Sequence, residues 1–409
     1  MPLGTSAKAA AFTESVIRGM TQLCTQYGGV NLAQGFPDFP APQAVKEAAK
    51  RAIDEDFNQY SITWGAPLLR QAIAEKARAF NRIPCDPDVN VTVTCGSTEA
   101  MMATLLGLIN PADEVVILEP FYENYGPDVI VSGAKPVYVP LREPDFRFDP
   151  AELRRAFGPR TKAIVLNTPH NPTGRVFDTD ELDEIASLCL EFDCYCITDE
   201  IYEHIVYDGH THVSIASLPG MAERTVTISG FSKTFSVTDW RVAYTIAPPS
   251  VTSAIRKMHD FLTVGAPHPL QIAGIAALGL GDAYYESLRT QYERRRDVLL
   301  EALRGAGFRC YEPEGAYYIM TDTRGFDLGD DVAFAQFLVR EVGVAAVPGS
   351  SFYRKGDAGR HQVRFTFLQG GPDIGRSGPP SGPLVESLAW YSPLRISIPQ
   401  SSGGEHERK

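Results

Sequence analysis

From about residue 90 to residue 250 the chain alternates short β-branched, apolar runs with longer segments whose apolar positions recur at helical spacing. That switching of period predicts an α/β fold. The strand runs are VTVT from Val91, EVVILE from Glu114, KPVYV from Lys135, KAIVLN from Lys162, CYCITDE from Cys194, TVTISG from Thr225 and VAYTIA from Val242. Several are apolar at every position, as strands covered on both faces must be, so a mostly parallel sheet is expected. Helices are expected between them, as in STEAMMATLLGLI after Gly96 and DTDELDEIASLCLEF after Phe177, the second opening on Asp178 and Thr179 as capping candidates.

Beyond that stretch the pattern changes. From about 282 to 367 a long helical segment, YYESLRTQYERRRDVLLEALRGAG, accompanies short strands such as GAYYIMTD and QVRFTF, which predicts a smaller α+β domain. The expected division is an N-terminal arm with part of the small domain (1–40), a large domain (41–281), the small domain (282–367) and a tail (368–409). The tail is dense in Gly, Pro and Ser, and irregular structure is expected there. Arg294, Arg295 and Arg296 are expected to form a solvated helix face.

Composition narrows the function. A chain of 409 residues, 44% hydrophobic, can bury a large core. Its net charge of −12 argues against broad nucleic-acid binding, which needs a basic surface. No apolar run approaches the roughly 20 residues that span a bilayer, and no signal-like segment opens the chain, so a cytoplasmic location is expected. The seven scattered cysteines fit reduced thiols, with Cys194 and Cys196 in the core.

Open α/β sheets bind ligands at the carboxyl ends of their strands, and several candidates sit there. Asp199 ends the CYCIT run, where a buried carboxylate needs a cation or a strong donor. Tyr202 follows with a phenolic hydroxyl. Asn171 lies in NTPHNPTG, and Thr94 to Glu99, TCGSTE, forms a strand-to-helix turn suited to a phosphate. Lys233 stands among small and hydroxyl residues in SGFSKTFSVTDWR, eight positions before Arg241. Singly, each has a bland reading as a cap, a turn residue or a surface lysine. Together, an acid for a ring nitrogen, a lysine for a Schiff base and a glycine-hydroxyl turn with an arginine for a phosphate are the parts of pyridoxal phosphate (PLP) chemistry.

These residues resemble the class I aminotransferases of the aspartate aminotransferase superfamily, fold type I. NLAQGFPDFPAP, NQYSITWG, EPFYENY, NTPHNPTG, ITDEIYEHIVYDG, HVSIASLPGM, SGFSKTFS and VRFTF look most like the branch of kynurenine–oxoglutarate transaminases, cysteine-S-conjugate β-lyases and methionine transaminases. The resemblance runs from about Phe12 to Phe367. It implies that Lys233 carries the cofactor as an aldimine and moves the proton, that Asp199 pairs with the pyridine nitrogen, and that Tyr202 and Asn171 hydrogen-bond the ring oxygen. Tyr122 is expected to stack on the ring. Gly96, Ser97, Thr98 and Arg241 would bind the phosphate, with Tyr60 reaching in from a second subunit of a homodimer. Arg364 would hold the substrate α-carboxylate, helped by Asn171 and the Gly35 N–H. Phe36, Tyr60 and Trp64 would line an apolar pocket, and no fixed cation stands out for an acidic side chain.

The implied activity is transfer of the amino group of a large neutral or aromatic L-amino acid (kynurenine, methionine, glutamine or phenylalanine) to a 2-oxo acid. Two alternatives accompany it: a C–S β-lyase using the same lysine, and a non-catalytic cofactor-binding homologue. Departures from the family pattern are Asp239, where TDWR stands for the common TGWR, Gly230 where many relatives carry a hydroxyl, and the tail, read as a diverged terminus or a shifted reading frame. The roles of Ser229 and Ser232 stay open. No metal is expected: His210 and His212 in HTH have no acid or cysteine cluster near them in sequence. His170 is expected to be a loop residue and Cys95 a packing residue.

Overall fold

The computed structural model describes residues 4–354 and 358–368. Seven strands form one sheet in the spatial order Val91–Thr94, Ala243–Ile246, Thr225–Gly230, Tyr195–Asp199, Thr161–Asn167, Glu114–Glu119, Lys135–Pro140. The last five are mutually parallel, and Ala243–Ile246 runs antiparallel to both its neighbours. This is the mostly parallel α/β sheet read from the pattern.

Continuous apolarity has a simple cause here. Along Glu114–Glu119, Val116 and Leu118 pack with Leu182 and Ile185 on one face, while Val115 and Ile117 pack with Ala100 and Ala103 on the other. Side chains alternate across a strand, so burial of both faces demands an apolar residue at each position. The covering helices are Ser97–Leu108 and Pro249–Leu262 on one side and Thr179–Glu191 on the other, the last closed by a capping box between Asp178 and Glu181.

A second sheet, antiparallel, joins Val347–Pro348, Gln362–Thr366, Tyr318–Asp322 and Arg309–Tyr311. The 24-residue helix Asp282–Gly305 contributes Leu288, Tyr292, Leu299, Leu300 and Leu303 to the core around it. Val30–Asn31 pairs in parallel with Val344–Ala345, which draws residues 31–36 against this unit. The tail lies outside the described residues from 369 onward, so the expectation for it is not addressed. Among the described residues no helix is long and apolar enough to cross a membrane.

The arginine run departs from expectation. Arg296 is 3% exposed, bonded to Asp208 and stacked over Tyr207, while Arg295 pairs with Asp38 at 3.0 Å. Only Arg294 is exposed. The helix packs against the 204–208 loop as well as the second sheet, and three consecutive residues cannot all point to water.

Register brings the candidate chemistry to one edge. Asn167 pairs with Asp199, while Gly230 and Thr94 both pair with Ala243. Because Ala243–Ile246 is antiparallel, its starting end lies where its neighbours finish, and Arg241 just before it meets the turns that follow Thr94 and Gly230. Gly230 is required by this closeness: a Cβ there would lie 2.7 Å from the Ala243 Cβ.

Candidate active site

At that edge opens a cleft of about 470 Å³ lined by Asp199, Lys233, Arg241, Arg364 and their neighbours. Asp199 is 7% exposed. Its Oδ2 accepts the Tyr125 hydroxyl at 2.9 Å and its Oδ1 the Ile201 N–H at 3.2 Å. Burial pushes its carboxyl up to about 6 although both hydrogen bonds and Lys233 oppose the rise. The Asn167 amide donates to the Asp199 carbonyl at 2.8 Å and fixes the strand end.

Lys233 donates from Nζ to the Gly35 carbonyl at 2.8 Å, with the Tyr317 ring 5.8 Å away. Burial pulls its amine down to about 8, helped by Arg241 and Arg364 and opposed by Asp199. One group wants a cation, and the other is relieved of its own charge.

Two arginines flank this pair. Arg241 donates from Nη1 to the Thr238 carbonyl at 2.9 Å, and its Nη2 would lie 2.0 Å from a Cβ at position 96. Gly96 (φ +86°) therefore makes room for the guanidinium and also opens the Ser97–Leu108 helix without a side-chain cap. The first N–H groups of that helix lack intrahelical partners, and Ser97 and Thr98 face the cleft. Asp239 is exposed at the cleft mouth and makes no ion pair with Arg241 among the described residues.

Arg364, on Gln362–Thr366, is 1% exposed. It donates from Nη1 to Asn171 Oδ1 at 2.8 Å and from Nη2 to the Ala33 carbonyl at 2.7 Å, between the Tyr318 ring at 4.3 Å and the Phe352 ring at 4.8 Å. Its Nε has no partner, and among the described residues no carboxylate pairs with it. Burial draws it below the usual arginine range. A buried, unneutralised guanidinium beside a cavity calls for an anion. Asn171 is itself held by its N–H to Asn167 Oδ1 at 2.8 Å.

The structure thus brings together Asp199, Lys233, Tyr202, Tyr122, Asn171, Ser97, Thr98, Arg241, Gly35 and Arg364 around the cleft, with Gly96 directly behind Arg241. Three of these have protein partners of their own. Gly35 offers its carbonyl to Lys233 and to the Tyr317 hydroxyl, the latter at 2.9 Å. The Tyr202 hydroxyl lies 2.7 Å from that of Tyr318. The half-buried Tyr122 meets Tyr125 edge-on at 5.7 Å. Phe36 lines the cleft; Trp64 does not, its ring instead carrying the Arg256 guanidinium at 5.0 Å. Tyr60 also stands apart, 86% exposed. Ser232 faces the cleft, and Ser229 donates to Glu203 at 2.5 Å below it.

Sequence reasoning passed over Tyr125, Asn167, Tyr318 and Arg18, which also line the cleft. Asn167 had a usable signal: it ends the strand adjoining that of Asp199. Arg18, exposed at the cleft, is a cation that the sequence reading did not weigh for an acidic substrate tail. Of the weaker signals, His170 contacts Thr173 Oγ1 at 2.8 Å and is drawn down to about 3 by burial, so it is a neutral loop residue. Cys95 lies 3.3 Å from the Gly265 carbonyl, and burial raises its thiol.

His212 does meet an acid cluster, contrary to the reading of HTH. Glu200 and Glu203 offer oxygens to the same space, and His212 Nε2 lies 2.9 Å from Glu200. Lys76 pairs with Glu203 at 2.5 Å and the Asn81 amide donates to it at 2.7 Å, so the space is already filled by a cation and a donor. A cavity of about 850 Å³ adjoins this network but includes none of Asp199, Lys233, Arg241 or Arg364.

The chain is similar to several known proteins. A family model described as Aminotransferase class I and II matches residues 27–372. A probable N-succinyldiaminopimelate aminotransferase of Mycobacterium tuberculosis is 39% identical over 376 residues, 89% of this chain and 94% of that protein. Human kynurenine–oxoglutarate transaminase 1 is 36% identical, covering 85% of this chain and 90% of its own length. A crystal structure from Escherichia coli that identifies a methionine aminotransferase function superposes with a TM-score of 0.88 at 32% identity, over 96% of this chain and 100% of that one.

Proposed function

The chain belongs to the class I and II aminotransferases, PLP-dependent transaminases of fold type I, and we propose that it takes the amino group of a large neutral or aromatic L-amino acid and passes it to a 2-oxo acid. The observation that carries this reading is Arg241 and Arg364, neither paired with a carboxylate among the described residues, in one cleft with Lys233 and Asp199. They fit a ligand pair with a phosphate at one end and a carboxylate at the other.

The residues fit PLP on chemical grounds. Asp199, costly to ionise alone, would hold the protonated ring nitrogen. Gly96, Ser97, Thr98 and Arg241 would hold the phosphate, Tyr122 a ring face, and Tyr202 with Asn171 the ring oxygen. Bound there, the ring supplies a sink for the electrons released at the substrate α-carbon. Arg364 binds the α-carboxylate through its planar fork and so orients the α-hydrogen. Lys233 moves the proton at Nζ. With its amine near 8, about one-tenth is neutral at pH 7, against well under one-thousandth for an ordinary lysine.

Two expected results follow from these groups. In the cofactor-free protein an amine-acylating reagent should label Lys233 half-maximally near pH 8, because a depressed pKa leaves the reactive neutral form present from lower pH upward. Peptide mapping across about pH 6 to about pH 11 checks this, and half-labelling at the ordinary value near 10.4 contradicts it. Arg364→Lys should lower kcat/KM for the amino donor by about 10²- to 10³-fold, since an ammonium cannot grip a carboxylate bidentately. Steady-state kinetics read the loss, and the spectrum of the bound cofactor should not change.

Phe36, Tyr122 and Tyr318 in the cleft support a large neutral or aromatic donor. Arg18 favours a second reading, a donor with an acidic tail, as in the name of the mycobacterial relative. A donor panel separates them. Methionine, kynurenine, glutamine and phenylalanine should outrank aspartate and N-succinyldiaminopimelate, with the order unchanged in Arg18→Ala. An acidic donor in the lead, lost in Arg18→Ala, transfers the assignment to the second reading.

We also read the chain as a homodimer in which Tyr60 completes the partner's site. Tyr60 at 86%, Phe261 at 94% and Leu68 at 65% exposure support a covered face. All seven cysteines are unpaired, which supports a cytoplasmic location.

A further inference from the structure

His259, on the Pro249–Leu262 helix, has no part in the chemistry above, yet its ring is wholly buried (0% exposed). Its Nδ1 lies 3.1 Å from both carboxylate oxygens of Glu99, and its Nε2 lies 2.8 Å from the Thr63 carbonyl. With Glu99 as a carboxylate, it and the Thr63 carbonyl only accept hydrogen bonds, so both ring nitrogens donate and the ring is an imidazolium. Glu99 in turn accepts the Cys95 N–H at 3.0 Å, at the start of the turn read above as the phosphate site. Thr63 belongs to the segment that carries Tyr60.

We propose that His259 is a positioning residue for the cofactor phosphate: as an imidazolium it clamps Glu99, and through Glu99 the Cys95–Thr98 turn, to the Gln59–Trp64 segment. One buried charge then holds both the subunit's own phosphate turn and the stretch that presents Tyr60 outward. A neutral imidazole has only one N–H, so loss of the proton must release either Glu99 or Thr63.

The groups around the ring are consistent with this. Burial by itself lowers the imidazolium's pKa, but the hydrogen bond and charge of Glu99, the Thr63 carbonyl and Asp260 on its own helix outweigh it, and the net shift is upward. Thr263 Oγ1, 3.2 Å from Nδ1, is the remaining polar neighbour. Cys95, itself raised by burial, and Arg241 stand beyond Glu99. Because the folded pKa is raised, the clamp is intact at low pH and is lost as pH rises through that value.

The inference rests on the phosphate reading of Gly96–Thr98 and Arg241, and the test separates the two. PLP dissociation constants are measured for the cofactor-free wild type, His259→Gln, Glu99→Gln and Arg241→Ala from about pH 6 to about pH 9. Taking the ratio of variant to wild type cancels the titration of Lys233. For His259→Gln the ratio should be about ten at the acid end and fall toward one as the wild-type ring loses its proton. Glu99→Gln should show the same trend. A ratio of one throughout, or one raised equally at every pH, overturns the proposal. If Arg241→Ala also binds like wild type, the phosphate reading fails instead. Should the variants not fold, proton NMR of the cofactor-free wild type decides: a His259 ring neutral at about pH 6 overturns the clamp.

Discussion

Lys233→Ala should lower the rate of amino transfer by about 10⁴-fold or more while leaving a folded protein that still takes up cofactor. The loss is large because no other side chain in the cleft can replace its amine. Asp199 is held by the Tyr125 hydroxyl, and Tyr202 is tied to Tyr318, its hydroxyl pushed well above the usual phenol range by burial. Uptake should survive because the phosphate and ring contacts do not involve Nζ. Single-turnover measurement of 2-oxo acid release from a bound donor reads the effect directly. A residual rate within about 10² of wild type would mean that the proton is carried by another group.

Asp199→Asn should act in opposite directions on activity and on stability. Amino transfer should fall by about 10³-fold or more, since a neutral amide cannot hold a protonated ring nitrogen and the electron sink weakens. The cofactor-free protein should become more stable. A folded pKa of about 6, raised above the unfolded value, means that the native state binds this proton more tightly than the unfolded chain does. The cost of keeping the group ionised is absent below about pH 4, grows as pH rises, and is complete above about pH 6, where it reaches about 2–3 kcal/mol. Asparagine removes that cost and can still accept the Tyr125 hydroxyl. Urea unfolding of both cofactor-free proteins should therefore differ by about that amount near pH 8 and converge near pH 4. Equal stability at both pH values would show that Asp199 is not held at a loss.

This opposition also explains which parts of the protein could be read from its residues. Strands such as Glu114–Glu119 and Thr161–Asn167 were legible because burial on both faces writes an unbroken apolar run. Asp199 and Lys233 were legible because each is out of place locally, an acid closing an apolar strand and a lysine among small residues. Arg296, Arg18 and the Glu200–Glu203–His212 cluster were not, since nothing near them in the chain distinguishes them. Arg296 is buried because the 204–208 loop folds over its helix, and Lys76 reaches Glu203 from 127 positions away in the chain. Tyr125 fell between these cases. It shares EPFYENY with Tyr122, but only the helical turn beginning at Tyr125 directs its hydroxyl to Asp199.

The central claim is that Lys233, Asp199 and the two flanking arginines serve transfer of an amine, and the most direct test is the donor half-reaction. Purified holoenzyme is mixed with methionine, kynurenine or a cysteine S-conjugate in the absence of any acceptor, and the visible spectrum and released products are followed together. The account predicts that the visible band of the bound aldehyde form gives way to the shorter-wavelength band of the amine form, with one equivalent of 2-oxo acid per site and no free ammonia. Ammonia and 2-oxo acid released with the visible band unchanged would contradict it in favour of elimination, and a spectrum that no amino acid perturbs would contradict it outright.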